Sequence, residues 1–150
     1  MRLALYQPDI PQNTGTMMRL CACMNVPMDI IEPCGFALSD KNLKRAGMDY
    51  LEHLDLTRHM NWQQFCAAET TKRIVLLTTR AETRFTDFAF QAEDTLLLGR
   101  ESAGVPEDVQ AACAHRVIIP MTPAVRSVNV AVAAAMVLSE ALRQTGLFPA

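Results

Sequence analysis

Short apolar runs alternate along this chain with longer segments in which apolar residues recur at helical spacing. The strand-like runs, bounded by proline, glycine or polar residues, cover residues 3–6, 28–31, 73–79, 95–98 and 117–119. Helical patterns fill most of the intervals between them. This alternation predicts an α/β fold with a mainly parallel sheet flanked by helices.

Boundary residues place the expected helices. The helices are expected over about residues 13–24, 40–46, 62–68, 106–114 and 127–144. Asn13 or Thr14 is expected to cap the first, and Asp40 to cap the second, a short basic helix that Gly47 ends. Residues 51–56 are ambiguous, and a strand is one interpretation of them.

Residues 117–144 are the most informative stretch of the chain, because a polar loop lies there between a strand-like run and an apolar segment. A strand-like run ends at Pro120, a polar loop extends to Asn129, and the nine residues 130–138 that follow are all apolar. A helix that is apolar almost all round is expected to be buried on every side, which calls for a partner surface. Polar residues between a strand end and a helix start are where an open α/β sheet usually binds a ligand.

Length and composition narrow the class of protein. The 150 residues predict one domain spanning 1–150, half of the residues are apolar, and the longest apolar run is far shorter than the ~20 residues of a membrane span. A net charge of −2 argues against a large basic surface for nucleic acid. A local basic surface for nucleic acid at Lys41, Lys44 and Arg45 is compatible with this charge. The alternative interpretation of these three residues is a solvated helix face.

Five cysteines show neither a C-x-x-C pair nor metal-ligand spacing with the histidines. We therefore expect reduced thiols in a cytoplasmic protein. The N-terminus lacks a signal-peptide pattern, which agrees with that expectation.

Two motifs carry candidate chemistry. Asn13, Gly15 and Arg19 straddle a loop and a helix start, where an arginine can grip phosphate or polarise a hydroxyl; a capped helix with a surface arginine explains the spacing equally well. The segment from Gly99 to Gly104 is a strand–glycine–helix loop that lacks the residues of a P-loop or a dinucleotide fingerprint. Its Glu101 suits a hydroxyl, an amine or a cationic ligand such as S-adenosylmethionine, although a plain tight turn remains an alternative.

Taken in order, the motifs resemble one known family. N-x-G-x-x-x-R from Asn13, G-x-E-x-x-G-x-P from Gly99, and I-P-M-x-x-x-x-R-S-x-N from Ile119 resemble the SPOUT superfamily of RNA methyltransferases. The segments 31–36 and 41–50 look like its minimal branch, the bacterial tRNA wobble-nucleotide 2′-O-methyltransferases. The resemblance covers essentially the whole chain.

The resemblance implies a C-terminal trefoil knot, a homodimer formed through the C-terminal helix, and transfer of a methyl group from S-adenosylmethionine to the ribose 2′-hydroxyl of nucleotide 34, without a metal. The tRNA anticodon loop is the implied partner. It further implies catalytic roles for Arg19 and Asn13, and tRNA contacts at Lys41, Lys44, Arg45 and Arg126. The implied cofactor residues are Leu77, Thr78, Gly99, Glu101, Ile119, Met121, Ser127 and Asn129.

The chain departs from the family pattern at two places. Ala131 and Val132 stand where close relatives often carry Ser-Asn, and Ser139 stands where they commonly carry tyrosine. These departures keep a non-catalytic RNA- or cofactor-binding module as an alternative function. An enzyme acting on ribosomal RNA is a third, although relatives with that role often carry an additional RNA-binding domain.

Overall fold

The computed structural model describes residues 1–39, 41, 50–68 and 73–150. Six parallel strands form one sheet in the order β3-β2-β1-β5-β4-β6. The strands are β1 (Arg2–Tyr6), β2 (Met28–Ile31), β3 (Leu56–His59), β4 (Ile74–Leu77), β5 (Thr95–Leu98) and β6 (His115–Val117). The predicted α/β class and parallel sheet are therefore confirmed.

Helices connect and flank these strands. They are α1 (Pro11–Met24), α2 (Trp62–Ala68), α3 (Glu107–Ala112) and α4 (Val130–Thr145), with a 3₁₀ turn at Leu51–His53. The ambiguous segment thus contains that turn followed by β3. The expected basic helix lies largely outside the described residues, as do its proposed cap Asp40 and its proposed end Gly47.

The two faces of the sheet are buried by different helices, as the alternation of side chains in β1 illustrates. Leu3 and Leu5 join the cluster formed with α1 and α4, whereas Ala4 and Tyr6 face the cluster that contains Phe65 of α2. Successive side chains of a strand point to opposite faces, so both faces of this strand are packed.

The strand order brings distant loops to one edge of the sheet. From β1 the sheet extends through β2 to β3 on one side, and β5 pairs with the other side of β1. Because all strands are parallel, the loops after β1, β4, β5 and β6 meet at the carboxyl edge. A ligand of an open α/β sheet usually binds at such a reversal of strand order.

The N-terminus of α1 differs from the expectation. The helix begins at Pro11, and no side chain among the described residues caps it. Proline at the first helical position has no N–H to satisfy and a preset φ, so the helix can begin there without a polar cap. The expected cap residues have other surroundings: Thr14 is buried, and Asn13 makes hydrogen bonds outside the helix.

The C-terminal strand and helix are each shifted from their expected bounds. β6 ends at Val117, because the backbone of Ile118 pairs with Thr83 and Phe85 instead of continuing the ladder. α4 begins at Val130 rather than near Ser127, because Asn129 caps it through its Oδ1.

α4 is not buried on every side in the single chain. Val132 is 49% exposed and Met136 is 41% exposed, while Ala134 and Val137 are fully buried. The prediction of burial all round is therefore wrong for one chain alone, and an apolar stripe is left at the surface. Within the described residues, none of the helices is both long and apolar enough to cross a membrane.

Candidate functional site

A cavity of about 470 Å³ opens at the carboxyl edge of β4, β5 and β6. Its volume falls in the range typical of small-molecule sites, roughly 300–1,000 Å³. All eight residues expected to bind a cofactor line it, although they come from three separate segments, at the ends of β4, β5 and β6: Leu77, Thr78, Gly99, Glu101, Ile119, Met121, Ser127 and Asn129. The structure thus brings these eight residues together; their contact with a ligand remains a prediction.

The loop after β5 is tight, because hydrogen bonds join its two ends and glycines allow these ends to approach closely. Arg100 and Gly104 exchange two backbone hydrogen bonds, of 3.1 and 2.8 Å. A Cβ atom at Gly99 would lie 2.6 Å from the carbonyl carbon of Gly104, so only glycine permits this close approach. Gly104 itself has φ +64°, a conformation that side chains disfavour. The tight loop holds the backbone of Gly99 against the cavity.

Glu101 is tied to the loop that follows β1. Its Oε2 accepts the backbone N–H of Asp9 at 3.0 Å, and Oδ1 of Asp9 accepts the N–H of Glu101 at 3.1 Å. Oδ2 of Asp9 also accepts the hydroxyl of Ser102. We call this reciprocal contact of Asp9 with Glu101 and Ser102 the loop clasp. The side chains of Glu101 and Ser102 lower the pKa of Asp9 to about 2.

Asn13 connects the clasp to the C-terminal helix. Its Nδ2 donates to Oε1 of Glu101 at 3.2 Å, and its Oδ1 accepts Nδ2 of Asn129 at 3.0 Å. Asn129 in turn accepts the N–H groups of Ala131 and Val132 at the start of α4. One chain of hydrogen bonds therefore joins the loops after β1, β5 and β6 around the cavity.

The lining of the cavity includes both apolar and charged side chains. Leu77, Leu98, Ile119 and Met121 supply apolar surface, which suits a flat ring system. The charged groups in the lining are Arg80, Arg100 and Glu101. Such a cavity can hold an amphipathic ligand that carries a ring at one end and charges at the other.

Arg19 lies outside this cavity lining in the described part of the chain. Its side chain is exposed, and its guanidinium rests on Tyr50, with Cζ 4.6 Å from the ring centroid and Nη2 3.2 Å from the hydroxyl. Gly15 is buried, so the two motif residues do not face the same surroundings. The structure therefore brings Asn13, but not Arg19, to the cavity.

Two of the four candidate RNA contacts, Arg126 and Lys41, lie within the described residues, and both are exposed. Arg126 lies in the loop before α4. Lys44 and Arg45 lie outside the described residues, so their part of that expectation stays a prediction. Exposed cations are suited to phosphate contacts, which position an RNA without reading its bases.

Sequence reasoning missed three residues at this edge. Asp9 makes the loop clasp, Arg100 lines the cavity, and Gln7 accepts a hydrogen bond from Arg100 Nη2 at 2.8 Å. The available signal was their position: each directly follows, or nearly follows, a strand that ends at the carboxyl edge. Their pairing depends on β1 lying beside β5, which no local pattern reveals.

Comparison with known proteins decides the family. Residues 1–139 match the model of the SpoU rRNA Methylase family. The chain belongs to this family. The predicted resemblance to SPOUT-type methyltransferases is thereby confirmed. The cavity is the candidate active site of this SpoU protein.

Named relatives match the chain over nearly its whole length. A tRNA (cytidine(34)-2′-O)-methyltransferase of Beijerinckia indica is 61% identical over 96% of this chain and 91% of its own length. The Escherichia coli K12 protein of the same name is 40% identical over 97% and 94%.

Solved structures agree with these matches. One from a study of the 2-OH methylation of C/U34 on tRNA superposes with a TM-score of 0.90 and 42% identity, covering 95% of this chain and 94% of that one. The SpoU methyltransferase AviRb of Streptomyces viridochromogenes, solved with AdoMet, has a TM-score of 0.86 at 24% identity, and this likeness shows the shared fold alone.

Proposed function

We propose that this SpoU methyltransferase transfers a methyl group to the ribose 2′-hydroxyl of nucleotide 34 of tRNA, the wobble position, which is cytidine or uridine. The observation that carries the proposal is full-length similarity, at 40% to 61% identity, to proteins named for that reaction. In this proposal residues 1–150 act as one methyltransferase domain, and the protein works in the cytoplasm, where tRNA is found.

The cavity fits S-adenosylmethionine as the methyl donor. Apolar residues such as Ile119 and Met121 suit the adenine ring, and the carboxylate of Glu101 suits a ligand that carries positive charge. When bound, this cofactor supplies an electrophilic methyl group on a sulfonium sulfur. The residues expected to hold it are the eight lining residues named above.

The protein must orient a ribose hydroxyl and assist loss of its proton, because a protonated hydroxyl is a poor nucleophile. Asn13 can position the substrate, since it lies in the cavity wall between Glu101 and Asn129. Arg19 lies six residues further along α1, about 9 Å along the helix axis. It can hold a phosphate or polarise the hydroxyl if the RNA lies against the outer face of α1. Which group accepts the proton is left open by this arrangement.

The tRNA is expected to bind through its anticodon loop. Lys41, Lys44, Arg45 and Arg126 are the proposed backbone contacts. With a net charge of −2 on the chain, such contacts must be local rather than spread over the whole surface. Substitution of Arg126 by methionine should lower tRNA affinity and reduce its salt dependence.

We also propose that the protein is a homodimer formed through α4. The exposed Val132 and Met136 lie one helical turn apart, and such an apolar stripe favours a covered interface. Met136→Glu should therefore shift the dimer to monomers in sedimentation or light scattering, whereas Arg143→Glu at the far end of the same helix should have a smaller effect. An unchanged association state in Met136→Glu would remove α4 from the interface.

A trefoil knot in the C-terminal part is the proposed chain path. Residues Thr83 and Phe85 bond to Ile118 after β6, while the Gln144 side chain bonds to Phe88 and Phe90. The segment 83–90 is therefore held between the loop after β6 and the last helix. This arrangement supports threading of the C-terminal helix through that segment.

One assay tests the function. Purified protein is incubated with labelled S-adenosylmethionine and either total tRNA or ribosomal RNA, and the modified nucleotide is mapped. Label at the 2′-oxygen of nucleotide 34 is the expected result. Label in ribosomal RNA only would contradict the tRNA assignment. Cofactor binding in calorimetry with no turnover on any RNA would favour a non-catalytic binding module.

A further inference from the structure

Arg100 is one of two charged residues of the cavity, with Arg80, to which the proposed function gives no role. It follows Gly99 after β5, lines the cavity, and is partly buried. Its Nη2 donates to Oε1 of Gln7, but its Nε is buried with no hydrogen-bond partner in the described part of the chain. No ion pair found within that part includes Arg100. A cation thus lines the cavity without an ion-pair partner among the described residues.

The nearby carboxylates, Glu101 and Asp108, do not form ion pairs with Arg100 among the described residues. Both oxygens of Glu101 already accept hydrogen bonds, from Asp9 and Asn13. Asp108 is exposed on α3 and forms no ion pair with Arg100 among the described residues. A partly desolvated guanidinium without a counter-charge attracts an anion more strongly than one in water, because the local dielectric is lower.

Gln7 holds this guanidinium in place. Its backbone has φ 43°, in the region that residues other than glycine seldom adopt, and its N–H donates to the carbonyl of Ile31 at 2.8 Å. The side chain consequently leaves β1 toward the loop after β5, where Oε1 accepts Arg100 at 2.8 Å. An unusual conformation maintained by surrounding contacts is typical of residues that position a functional group.

We propose that Arg100, positioned by Gln7, is the anion-binding residue of the cavity and that it takes the carboxylate of the methionine part of the cofactor. This inference rests on the proposed function, because it assumes a ligand with an amino-acid tail. Guanidinium and carboxylate match in geometry and charge. A phosphate of the RNA has the same chemistry, but the partial burial of Arg100 favours a small ligand inside the cavity.

Two ligands that differ only in the carboxylate test the assignment. S-adenosylhomocysteine carries it, and its decarboxylated analogue has hydrogen in its place. Calorimetry with the full chain should show that the wild type prefers S-adenosylhomocysteine by about tenfold, as expected for a charge-assisted hydrogen bond. Arg100→Met should lose most of this preference while binding the analogue within about twofold of the wild type.

Further variants locate the effect. Arg100→Lys should keep part of the preference, because the charge remains while the forked geometry is lost. Gln7→Met should reduce the preference in part, since it removes only the acceptor that positions Arg100. Arg80→Met, the other arginine of the lining, should keep the preference; if it alone abolished the preference, the anion site would belong to Arg80. Arg116→Met serves as a control on an exposed cation outside the cavity.

The outcomes separate this inference from the proposed function. If the wild type binds neither ligand, the proposed function itself fails. If it binds both equally, or if Arg100→Met keeps the preference, only the role of Arg100 fails. If Arg100→Met keeps the preference but weakens tRNA binding and its salt dependence, the anion is an RNA phosphate, and the carboxylate assignment is overturned.

Discussion

The cavity and the outer face of α1 differ in how their functional groups are held. In the cavity, Asn13, Glu101 and Asn129 belong to one chain of hydrogen bonds that joins three loops. On the outer face, Arg19 is exposed, and its guanidinium contacts Tyr50 among the residues that the structure describes. The cofactor half of the proposed site is therefore preorganised within one chain, whereas the substrate half has groups that are still free to adjust.

The difference fits the demands of the two ligands. A small cofactor must be bound in one conformation, and several loops tied together can hold its parts at fixed distances. A tRNA anticodon loop approaches from outside and brings its own shape, so surface groups can meet it without a closed pocket. The comparison predicts that substitutions in the two regions will affect different measurements.

The largest expected effect belongs to the outer face. Arg19→Ala should lower kcat for tRNA methylation by about a hundredfold or more, the scale seen when a group that stabilises transition-state charge is removed. Its Kd for S-adenosylhomocysteine should stay within about twofold, because Arg19 lies outside the cavity lining among the described residues. Single-turnover kinetics and calorimetry provide the two readouts.

Arg58→Ala is a matched control for that substitution. Arg58 is also an exposed arginine, but it pairs with Glu32 at 2.6 Å, away from the cavity. It should methylate tRNA nearly as well as the wild type. Normal methylation by Arg19→Ala would remove Arg19 from the chemistry, and a parallel loss of cofactor binding would mean that the two regions are not separate.

A substitution at Gly99 should weaken binding of the cofactor product, which Arg19→Ala should leave nearly unchanged. A Cβ there meets backbone rather than a movable side chain, so Gly99→Ala must displace the loop. Overpacking of this kind costs about 1–3 kcal/mol, and S-adenosylhomocysteine binding should weaken by about tenfold or more. Calorimetry measures the effect.

Gly104→Asn is the matched glycine control. A Cβ at Gly104 meets nothing within 4 Å, and asparagine tolerates the positive φ of this position. It should bind the cofactor product nearly as well as the wild type. Equal losses in Gly99→Ala and Gly104→Asn would show that general loop rigidity, rather than the close approach at Gly99, controls binding.

The parts of the site that lie within one local pattern could be predicted from the sequence. The strand before Gly99 and the apolar helix after Asn129 are both visible as patterns, so their loops could be assigned to one edge of a parallel sheet. The cap at Asn129 was not predicted, because the helix was expected to begin near Ser127. The eight cofactor residues themselves were predicted from the resemblance to SPOUT methyltransferases, and all eight line the cavity.

The parts that depend on strand order could not be predicted. Asp9 meets Glu101, and Gln7 meets Arg100, across more than ninety residues, and both contacts exist only because β1 and β5 are neighbours. Arg19 was assigned from the resemblance and from its spacing of one helical turn after Gly15, but neither reveals that its side chain turns outward onto Tyr50. The expected burial of α4 on all sides assumed a covering surface that one chain lacks.

A smaller effect is expected at Tyr50, which supports Arg19 by its ring and its hydroxyl. Tyr50→Phe keeps the ring and should reduce kcat only a few-fold, whereas Tyr50→Ala removes both contacts and should reduce it by about fivefold to tenfold. Cofactor binding should not change. Adding either substitution to Arg19→Ala should have no further effect, because the supported group is already gone. Losses confined to KM would instead indicate that Tyr50 contacts the RNA.

The smallest expected effect concerns the loop clasp and appears in stability rather than activity. The pKa of Asp9 is lowered from 3.8 to about 2 in the folded chain by Glu101 and Ser102. A depressed pKa contributes stability that is present above about pH 4 and is lost as the pH falls toward 2. Asp9→Asn should therefore flatten the dependence of the unfolding free energy on pH in this window, as measured by denaturant titration.

The Glu140–Arg143 ion pair on α4 provides a comparison between the loop clasp and an ordinary surface ion pair. Its pKa is also lowered to about 2, by hydrogen bonds from Arg143 and Gln144 on α4, and the Arg143 side chain is 67% exposed. About 1 M salt should screen an exposed ion pair but leave largely intact the hydrogen bonds that Asp9 accepts from the N–H of Glu101 and the hydroxyl of Ser102. The part of the pH dependence of the unfolding free energy that Glu140→Gln removes should thus become smaller in salt. The part that Asp9→Asn removes should stay the same. If both parts became smaller equally, Asp9 would be stabilised mainly by long-range charge, and the clasp would not be a fixed part of the preorganised cavity.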